Sequence, residues 1–163
     1  MKKRNVLALI GALGAVAAGG YYCNKYRKKY DRRGELMRKL EKYYHTLNRW
    51  LAKRQEGICL DSYFKENGYE SIAIYGYKEL GERLYDELKA TDVKVEYIID
   101  KAADNIYAGV DAYTPDDVLP DVDAVVVTAS YYFDEIEEML RDKLACPIFS
   151  IDDVVNQFNY RGL

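Results

Sequence analysis

A turn between residues 76 and 81 has the glycine spacing of a nucleotide-binding fingerprint. It reads Gly76-Tyr77-Lys78-Glu79-Leu80-Gly81, with the first and third glycines of the pattern and a lysine at the second. The first glycine allows a tight turn, the second lets the backbone approach a pyrophosphate, and the third lets a helix pack closely on a strand. The turn therefore predicts an incomplete nucleotide-type site.

The charges of this turn affect which part of a nucleotide it would favour. Free N–H groups and the dipole at a helix N-terminus attract anions, and the Lys78 ammonium could itself meet a phosphate. The Lys78 side chain also obstructs close backbone approach, and Glu79 and Glu82 would repel a diphosphate. We expect weak or absent dinucleotide binding, or binding led by a nucleoside. The sequence does not decide whether the ligand is NAD(P) or a nucleotide-sugar.

An acidic residue stands where a ribose could be held. Asp100 ends an apolar run 19 residues after Gly81, the spacing at which a carboxylate takes the hydroxyl pair of a ribose. Asp is also common at strand ends and in turns, and the sequence does not separate the two interpretations. Lys101 follows at once and joins Asp100 among the candidate binding residues.

A third group of candidates follows the apolar run 123–128. Thr128, Tyr131 and Tyr132 could line a pocket, although packing of the tyrosines on the sheet edge is equally consistent with the sequence. Ser130 is expected to cap the next helix. No catalytic residue or metal ligand is predicted. The predicted cofactor-binding set is Gly76, Tyr77, Lys78, Gly81, Asp100, Lys101, Thr128 and Ser130.

The sequence lacks the residues that several other kinds of functional site require. A single histidine and three scattered cysteines argue against a His-based triad, a zinc site or a disulfide framework. The Tyr and Lys pair of reductases and epimerases does occur, but 17 tyrosines make such pairs expected by chance, and no pair follows the apolar run 123–128, where that chemistry would need it. The net charge of −3 argues against a nucleic-acid partner. The pairs are Tyr21/Lys25, Tyr85/Lys89 and Tyr97/Lys101.

Strands and helices alternate around these candidates. Strands are predicted at 71–75, 93–99, 123–128 and 146–151, with a short one near 112–113, and helices at 79–88, 133–144 and 152–158. Such alternation indicates parallel βαβ units with right-handed crossovers. The expected fold is α/β, a three-layer Rossmann-like parallel sheet of strand order 3-2-1-4-5. Ligands of such sheets bind beyond the carboxyl ends of the strands, where the order reverses between strands 1 and 4.

The N-terminal segment has the composition of a membrane anchor. Val6–Tyr22 contains no charge over 17 residues and ends in two tyrosines suited to a bilayer interface. The basic cluster of residues 25–33 then predicts, by the positive-inside rule, a single-pass protein of the inner (cytoplasmic) membrane with its main domain in the cytoplasm. A cleaved signal peptide, suggested by Ala15-Val16-Ala17, and a buried helix stay open.

Two helices are predicted between the anchor and the α/β unit, at 35–57 and 60–67. The first carries a heptad-like stripe, with His45 beside it. Because two heptads are short for a coiled coil, packing on the chain's own domain is favoured over pairing of two chains, and a homodimer stays open. The predicted organisation is an anchor with a basic juxtamembrane segment (1–34), a helical linker (35–68) and a Rossmann-like domain (69–163). The stripe consists of Leu36, Leu40, Tyr43, Leu47 and Trp50.

Four stretches between residues 58 and 155 carry a family resemblance. They are IAIYGYKELGERLYDEL, VEYIID, DAVVVTASYYFDEIEEML and CPIFSIDDVV. Together they resemble small Rossmann modules of bacterial polysaccharide and sugar-nucleotide proteins, including C-terminal domains of sugar C-methyltransferases, glycosyltransferase appendages and parts of some sugar acyltransferases. The resemblance implies a nucleotide or nucleotide-sugar ligand and a glycosyltransferase or other polysaccharide-assembly partner. Lys78 departs from the glycine-rich form of the turn.

Three functions are compatible with these observations. The first is a membrane-tethered, non-catalytic module that binds a nucleotide or nucleotide-sugar in cell-envelope polysaccharide biosynthesis. The second is a protein-interaction module with a degenerate ligand site, which pairs with an enzyme through its tyrosine-rich surface or the 36–50 stripe. The third and weakest is an NAD-dependent oxidoreductase or epimerase.

Overall fold

The structure is a computed structural model that describes the backbone of residues 3–157 and the side chains of residues 20–157. Contacts divide the chain into two units, Met1–Lys42 and Tyr43–Leu163. Helix α1 (Lys3–Gln55) begins in the first unit and ends in the second. The other elements are α2 (Asp61–Glu66), β1 (Ser71–Tyr75), α3 (Glu79–Leu88), β2 (Lys94–Ile99), β3 (Asp111–Tyr113), β4 (Ala124–Val127), α4 (Phe133–Arg141), β5 (Ile148–Ser150) and α5 (Ile151–Asn156).

The five strands form one all-parallel sheet of order β3-β2-β1-β4-β5, which confirms the predicted α/β class and strand order. Strand β1 is central, because Ile74 pairs with Ile98 of β2 on one side and with Val126 of β4 on the other. The strand order reverses between β1 and β4. Parallel strands end at the same edge, so the residues that follow β1, β2 and β4 lie along the carboxyl edge of the sheet.

Both faces of the sheet are buried, which explains why its strands are continuous apolar runs. On β1, Ile72 and Ile74 belong to one core and Ala73 and Tyr75 to the other, as expected from the alternation of side chains along a strand. The first core includes side chains of α3, α5, α2 and the end of α1. The second includes side chains of α4. Helices therefore cover the sheet on both sides, in three layers.

Most predicted elements are confirmed, with differences at their ends. The strand predicted at 146–151 is shorter, Ile148–Ser150, because the backbone turns into α5 directly after Ser150, whose side chain accepts a hydrogen bond from the Asp152 N–H. The helix predicted at 133–144 ends at Arg141. Of the closing helix predicted at 152–158, residue 158 lies outside the described residues.

The helix predicted to begin at Glu35 was placed too late. One helix, α1, runs from Lys3 to Gln55. The apolar stripe was the signal for a helix, but it marks only a part of it. Of that stripe Trp50 is buried in the first core, Tyr43 and Leu47 pack partly against it, and Leu36 and Leu40 are exposed. The second half of the stripe thus packs on its own domain.

The anchor predicted at 6–22 falls mostly on residues whose side chains lie outside the described part, namely residues 6–19. Among the described residues, no helix combines the length and apolar character needed to cross a membrane.

A buried carboxylate joins three helices on one side of the sheet. The Glu87 side chain of α3 is only 7% exposed. Its Oε2 atom accepts a hydrogen bond from the Trp50 indole of α1 at 2.7 Å, and its Oε1 atom accepts one from the Leu60 N–H, just before α2, also at 2.7 Å. The Arg54 guanidinium lies 3.7 Å away and is about half exposed. Glu87 therefore fixes α3, which carries the glycine turn at its other end, to the neighbouring helices.

Candidate functional site

The glycine turn between β1 and α3 is shaped by two glycines with separate roles. Gly76 has φ +88°, a conformation that strongly favours glycine. A Cβ atom at Gly76 would lie 2.9 Å from the Thr128 hydroxyl oxygen, and one at Gly81 would overlap the Gly76 carbonyl oxygen. The first glycine is therefore needed for the turn and the second for the close approach of α3.

Thr128, which follows β4, closes the turn from the neighbouring strand. Its N–H donates to the Tyr75 carbonyl at 2.9 Å, and its hydroxyl donates to the Gly76 carbonyl at 2.8 Å, with the Tyr75 carbonyl at 3.1 Å. Its side chain is buried. The structure thus brings Thr128 and the turn together, as predicted, but the hydroxyl is committed to the protein backbone.

The Asp100 carboxylate is held by two backbone amides. Its Oδ2 atom accepts a hydrogen bond from the Tyr77 N–H in the glycine turn, and its Oδ1 atom accepts one from the Ala102 N–H, each at 2.9 Å. The Asp100 N–H in turn donates to the Tyr113 carbonyl at the end of β3. Asp100 therefore connects the turn after β1 to the ends of β2 and β3. Each carboxylate oxygen can accept a further hydrogen bond, so a ribose contact stays a prediction.

The first turn of α3 presents both free amides and negative charge. In the described structure the N–H groups of Lys78, Glu79 and Leu80 donate to no protein acceptor, as is usual at a helix N-terminus. Lys78 is the N-cap, with an extended backbone and an exposed side chain that makes no capping bond. Glu79 and Glu82 are exposed beside it. The predicted conflict between the amide groups and these carboxylates is present.

The Tyr77 side chain packs back onto α3. Its ring meets the Tyr85 ring edge-on, with centroids 6.1 Å apart. A Cβ atom at Gly109 would approach the Tyr85 hydroxyl closely, so the loop before β3 lies against the Tyr85 side chain. Burial raises the pKa of Tyr77, and the neighbouring Tyr85, Asp86 and Glu82 add to the effect. Tyr77 is therefore a neutral phenol at physiological pH.

The prediction that Ser130 caps the helix after β4 is wrong. Ser130 lies inside a 3-10 turn, Ser130–Tyr132, and α4 has Tyr132 as its N-cap, with no capping side chain. The chain turns directly after Thr128, so Ser130 is already in helical geometry and lacks the extended backbone of a cap. Tyr131 and Tyr132 are exposed at this edge with their rings 5.2 Å apart, and Lys101 is exposed after β2.

The tyrosines considered for acid–base chemistry have other roles. The Tyr97 hydroxyl donates to the Pro120 carbonyl at 2.6 Å, and burial raises its pKa. The Tyr85 hydroxyl faces Gly109. His45 is exposed on α1, with its ring against Tyr44. Over residues 20–157, no group of three or more His, Cys, Asp or Glu side chains could hold a metal ion.

The bond between Asp100 and the Tyr77 amide was not foreseen from the sequence. A partial signal was present, because an Asp that accepts from the N–H two residues later is a common turn motif, and the Ala102 contact has this form. The contact to Tyr77 spans 23 residues and follows only from the pairing of β1 with β2.

The arrangement of the carboxyl edge is a glycine turn closed by Thr128 and joined to Asp100, with exposed tyrosines and lysines around it.

Comparison of the chain with protein-family models, with curated proteins and with solved structures finds no match in any of the three.

Proposed function

We propose that the chain is a membrane-tethered, non-catalytic Rossmann-like module that binds the nucleoside part of a nucleotide or nucleotide-sugar. The observation that carries the proposal is the fixed Asp100 carboxylate beside the glycine turn. Its two oxygens each accept one amide and keep capacity for one more donor. Two neighbouring hydroxyl groups of a ribose supply donors with matching spacing.

Recognition led by the nucleoside fits the charges of the site better than recognition led by phosphates. The Tyr77 N–H already donates to Asp100, so it is not available to an anion. The Glu79 and Glu82 carboxylates oppose a diphosphate at the first turn of α3. Exposed Tyr131 and Tyr132 offer rings at the same edge of the sheet. A base can contact such rings without any charge.

The cellular setting of the proposal rests on the sequence. The uncharged run at 6–22 and the basic cluster after it support a single-pass anchor in the cytoplasmic membrane with the α/β domain in the cytoplasm. The resemblance to sugar-nucleotide modules supports a role in cell-envelope polysaccharide biosynthesis beside a glycosyltransferase. A non-catalytic role fits Tyr77 and Tyr97, because burial raises the pKa of each.

Thermal unfolding of the full chain with a panel of ribonucleosides, nucleotides and nucleotide-sugars tests ligand binding. A ligand at ten times its Kd should raise the Tm by about 4 °C. The matching 2′-deoxynucleoside should give a much smaller shift, since it offers Asp100 only one ring hydroxyl. No shift with any compound at millimolar concentration, or equal shifts for ribose and deoxyribose forms, would contradict the proposal.

Two Asp→Asn variants assign the binding to its site. Asp100→Asn should lose the ligand-induced shift, measured from the variant's own ligand-free Tm. Asp92→Asn, at the opposite end of β2, removes the same charge from an exposed side chain and should keep the shift. The comparison of ribose with deoxyribose uses the wild-type chain, so it remains decisive if Asp100→Asn unfolds.

A second candidate function, protein interaction with a degenerate ligand site, is favoured by the surface of α1. Leu36, Met37 and Leu40 are each more than half exposed on consecutive turns of this helix. Large apolar side chains grouped in this way often mark a contact with a partner. The partner would be a second copy of the chain or a polysaccharide-assembly enzyme.

Sedimentation of the full chain tests self-association through this surface. A dimer that becomes a monomer in Met37→Ser/Leu40→Ser, and is retained in Asp100→Asn, would favour the interaction function. A wild-type chain that is monomeric at micromolar concentration would exclude the homodimer.

A further inference from the structure

Helix α1 carries a continuous basic face before it reaches the α/β unit. Lys25, Lys28, Lys29, Arg32 and Arg33 follow one another at positions i, i+3, i+4, i+7 and i+8. Successive residues of an α-helix are rotated by about 100°, so these five side chains lie within about 140° of one another around the helix axis. They are called the basic face below.

The positive charge of this face is not neutralised by any residue whose side chain the structure describes. All five side chains are exposed, and none makes an ion pair with a described residue. Asp31 is the only acid between residues 25 and 33 and falls on the other side of the helix. The next acid, Glu35, is engaged by Lys39 at 2.7 Å, and this contact lowers the pKa of its carboxyl group.

Aromatic side chains accompany the basic face. Tyr22, Tyr26 and Tyr30 are each more than half exposed on the same stretch of helix. The predicted membrane anchor, residues 6–22, ends three residues before Lys25. Tyrosine has an apolar ring and a polar hydroxyl, and it is enriched where apolar chains meet polar head groups.

We propose that the basic face binds an anionic lipid surface. Five cations on one side of a helix complement a plane of phosphate groups. The long run without charge that precedes them in the sequence, and the tyrosines beside them, favour a lipid surface over a nucleic acid. The inference adds lipid specificity to the proposed membrane tether. It orients the helix, because only one side of α1 between residues 25 and 33 faces the head groups.

Two matched arginine variants of the full chain test the orientation. Arg32→Gln/Arg33→Gln removes two charges from the basic face, and Arg27→Gln/Arg38→Gln removes two from the opposite side. Partition is measured by flotation with vesicles of phosphatidylcholine alone and with vesicles containing one third phosphatidylglycerol. Each basic residue near an anionic surface contributes about 1 kcal/mol to binding, and every 1.4 kcal/mol changes the affinity about tenfold. The first variant should therefore bind anionic vesicles about 30-fold more weakly than the wild type. The second should bind like the wild type.

A second readout applies if the apolar run holds the chain on both kinds of vesicle. Trypsin cleavage after Lys28, relative to cleavage after the exposed Lys101, should be slower on anionic than on neutral vesicles. This protection should decrease in Arg32→Gln/Arg33→Gln and remain unchanged in Arg27→Gln/Arg38→Gln.

The outcomes separate the basic face from the tether. Equal behaviour of the two variants, or no difference between anionic and neutral vesicles, overturns the proposal even if the chain floats with both. Failure to float with neutral vesicles contradicts the tether alone. Binding of a DNA duplex through Arg32 and Arg33, at a salt concentration that abolishes vesicle binding, would reassign the face to nucleic acid.

Discussion

Replacement of Glu87 by Gln should destabilise the α/β unit although the two side chains have nearly the same shape. The Glu87 carboxylate accepts from Trp50 and from the Leu60 N–H. A glutamine keeps one acceptor oxygen and presents an NH₂ group to the other donor, which leaves a buried donor without a partner. A hydrogen bond to a charged group contributes about 1.5–3 kcal/mol. Glu87→Gln should therefore lower the free energy of unfolding by about 2 kcal/mol.

Urea unfolding followed by tryptophan emission measures this loss directly, because Trp50 is the only tryptophan and donates to Glu87. Glu138→Gln in α4 is the matched control, since its side chain is exposed. The control should stay within about 0.5 kcal/mol of the wild type. If Glu87→Gln is equally close, the carboxylate does not hold α3 to its neighbours and the reasoning fails.

A double-mutant cycle separates the Trp50 contact from the Leu60 contact. Trp50→Phe removes the indole donor and leaves the Leu60 N–H in place. Residues in one hydrogen-bond network couple by about 0.5–3 kcal/mol, so the double variant should lose less than the sum of the two single losses. Since Trp50→Phe removes the fluorophore, circular dichroism follows unfolding here. Strict additivity would show that Glu87 acts through Leu60 alone.

Two further predictions concern the turn and the first strand. Gly81→Ala should cost about 4 kcal/mol or more or prevent folding, because its Cβ overlaps the Gly76 carbonyl. Gly34→Ala, whose Cβ would make only an ordinary contact with the Arg38 side chain inside α1, should raise helicity. Circular dichroism and urea unfolding compare the two variants. The Ser71 N–H and hydroxyl lower the pKa of Asp123, so the stability that this carboxylate provides is present above about pH 4, the unfolded value, and is lost as the pH falls through the folded value. The free energy of unfolding, measured in urea as a function of pH, should therefore fall less steeply towards acid pH in Asp123→Asn than in the wild type. If the two pH profiles run parallel, Asp123 does not provide this stability.

The sheet could be predicted from the sequence because its strands are buried on both faces. Runs such as 71–75 and 123–128 stand out since every position is apolar or nearly so, and the helices between them have one apolar side. The ends were less accurate, because a strand lasts only as long as its neighbour pairs with it. Cys146 lies before the paired part of β5, and Ile151 already belongs to α5.

The sequence predicts where the residues of the candidate site lie, but not which hydrogen bonds they form. Gly76, Gly81, Asp100 and Thr128 follow from strand ends and spacing, and the structure brings them together at the carboxyl edge. Which donors occupy Asp100 depends on the register of β1 against β2, which no local pattern contains. The continuous α1 was missed for a related reason, since a stripe of apolar residues signals packing and not the full length of a helix.

Because the Tyr77 amide donates to Asp100, this carboxylate competes with any external anion for the Tyr77 N–H group. A tethered group acts at a high effective concentration, commonly millimolar when the linker is short, without any diffusional search. To bind the Tyr77 N–H group, free phosphate would have to displace the Asp100 carboxylate, which belongs to the same chain. A ligand that adds donors to this carboxylate avoids the competition at the Tyr77 amide, so this part of the turn would favour neutral hydroxyl-bearing molecules over simple anions.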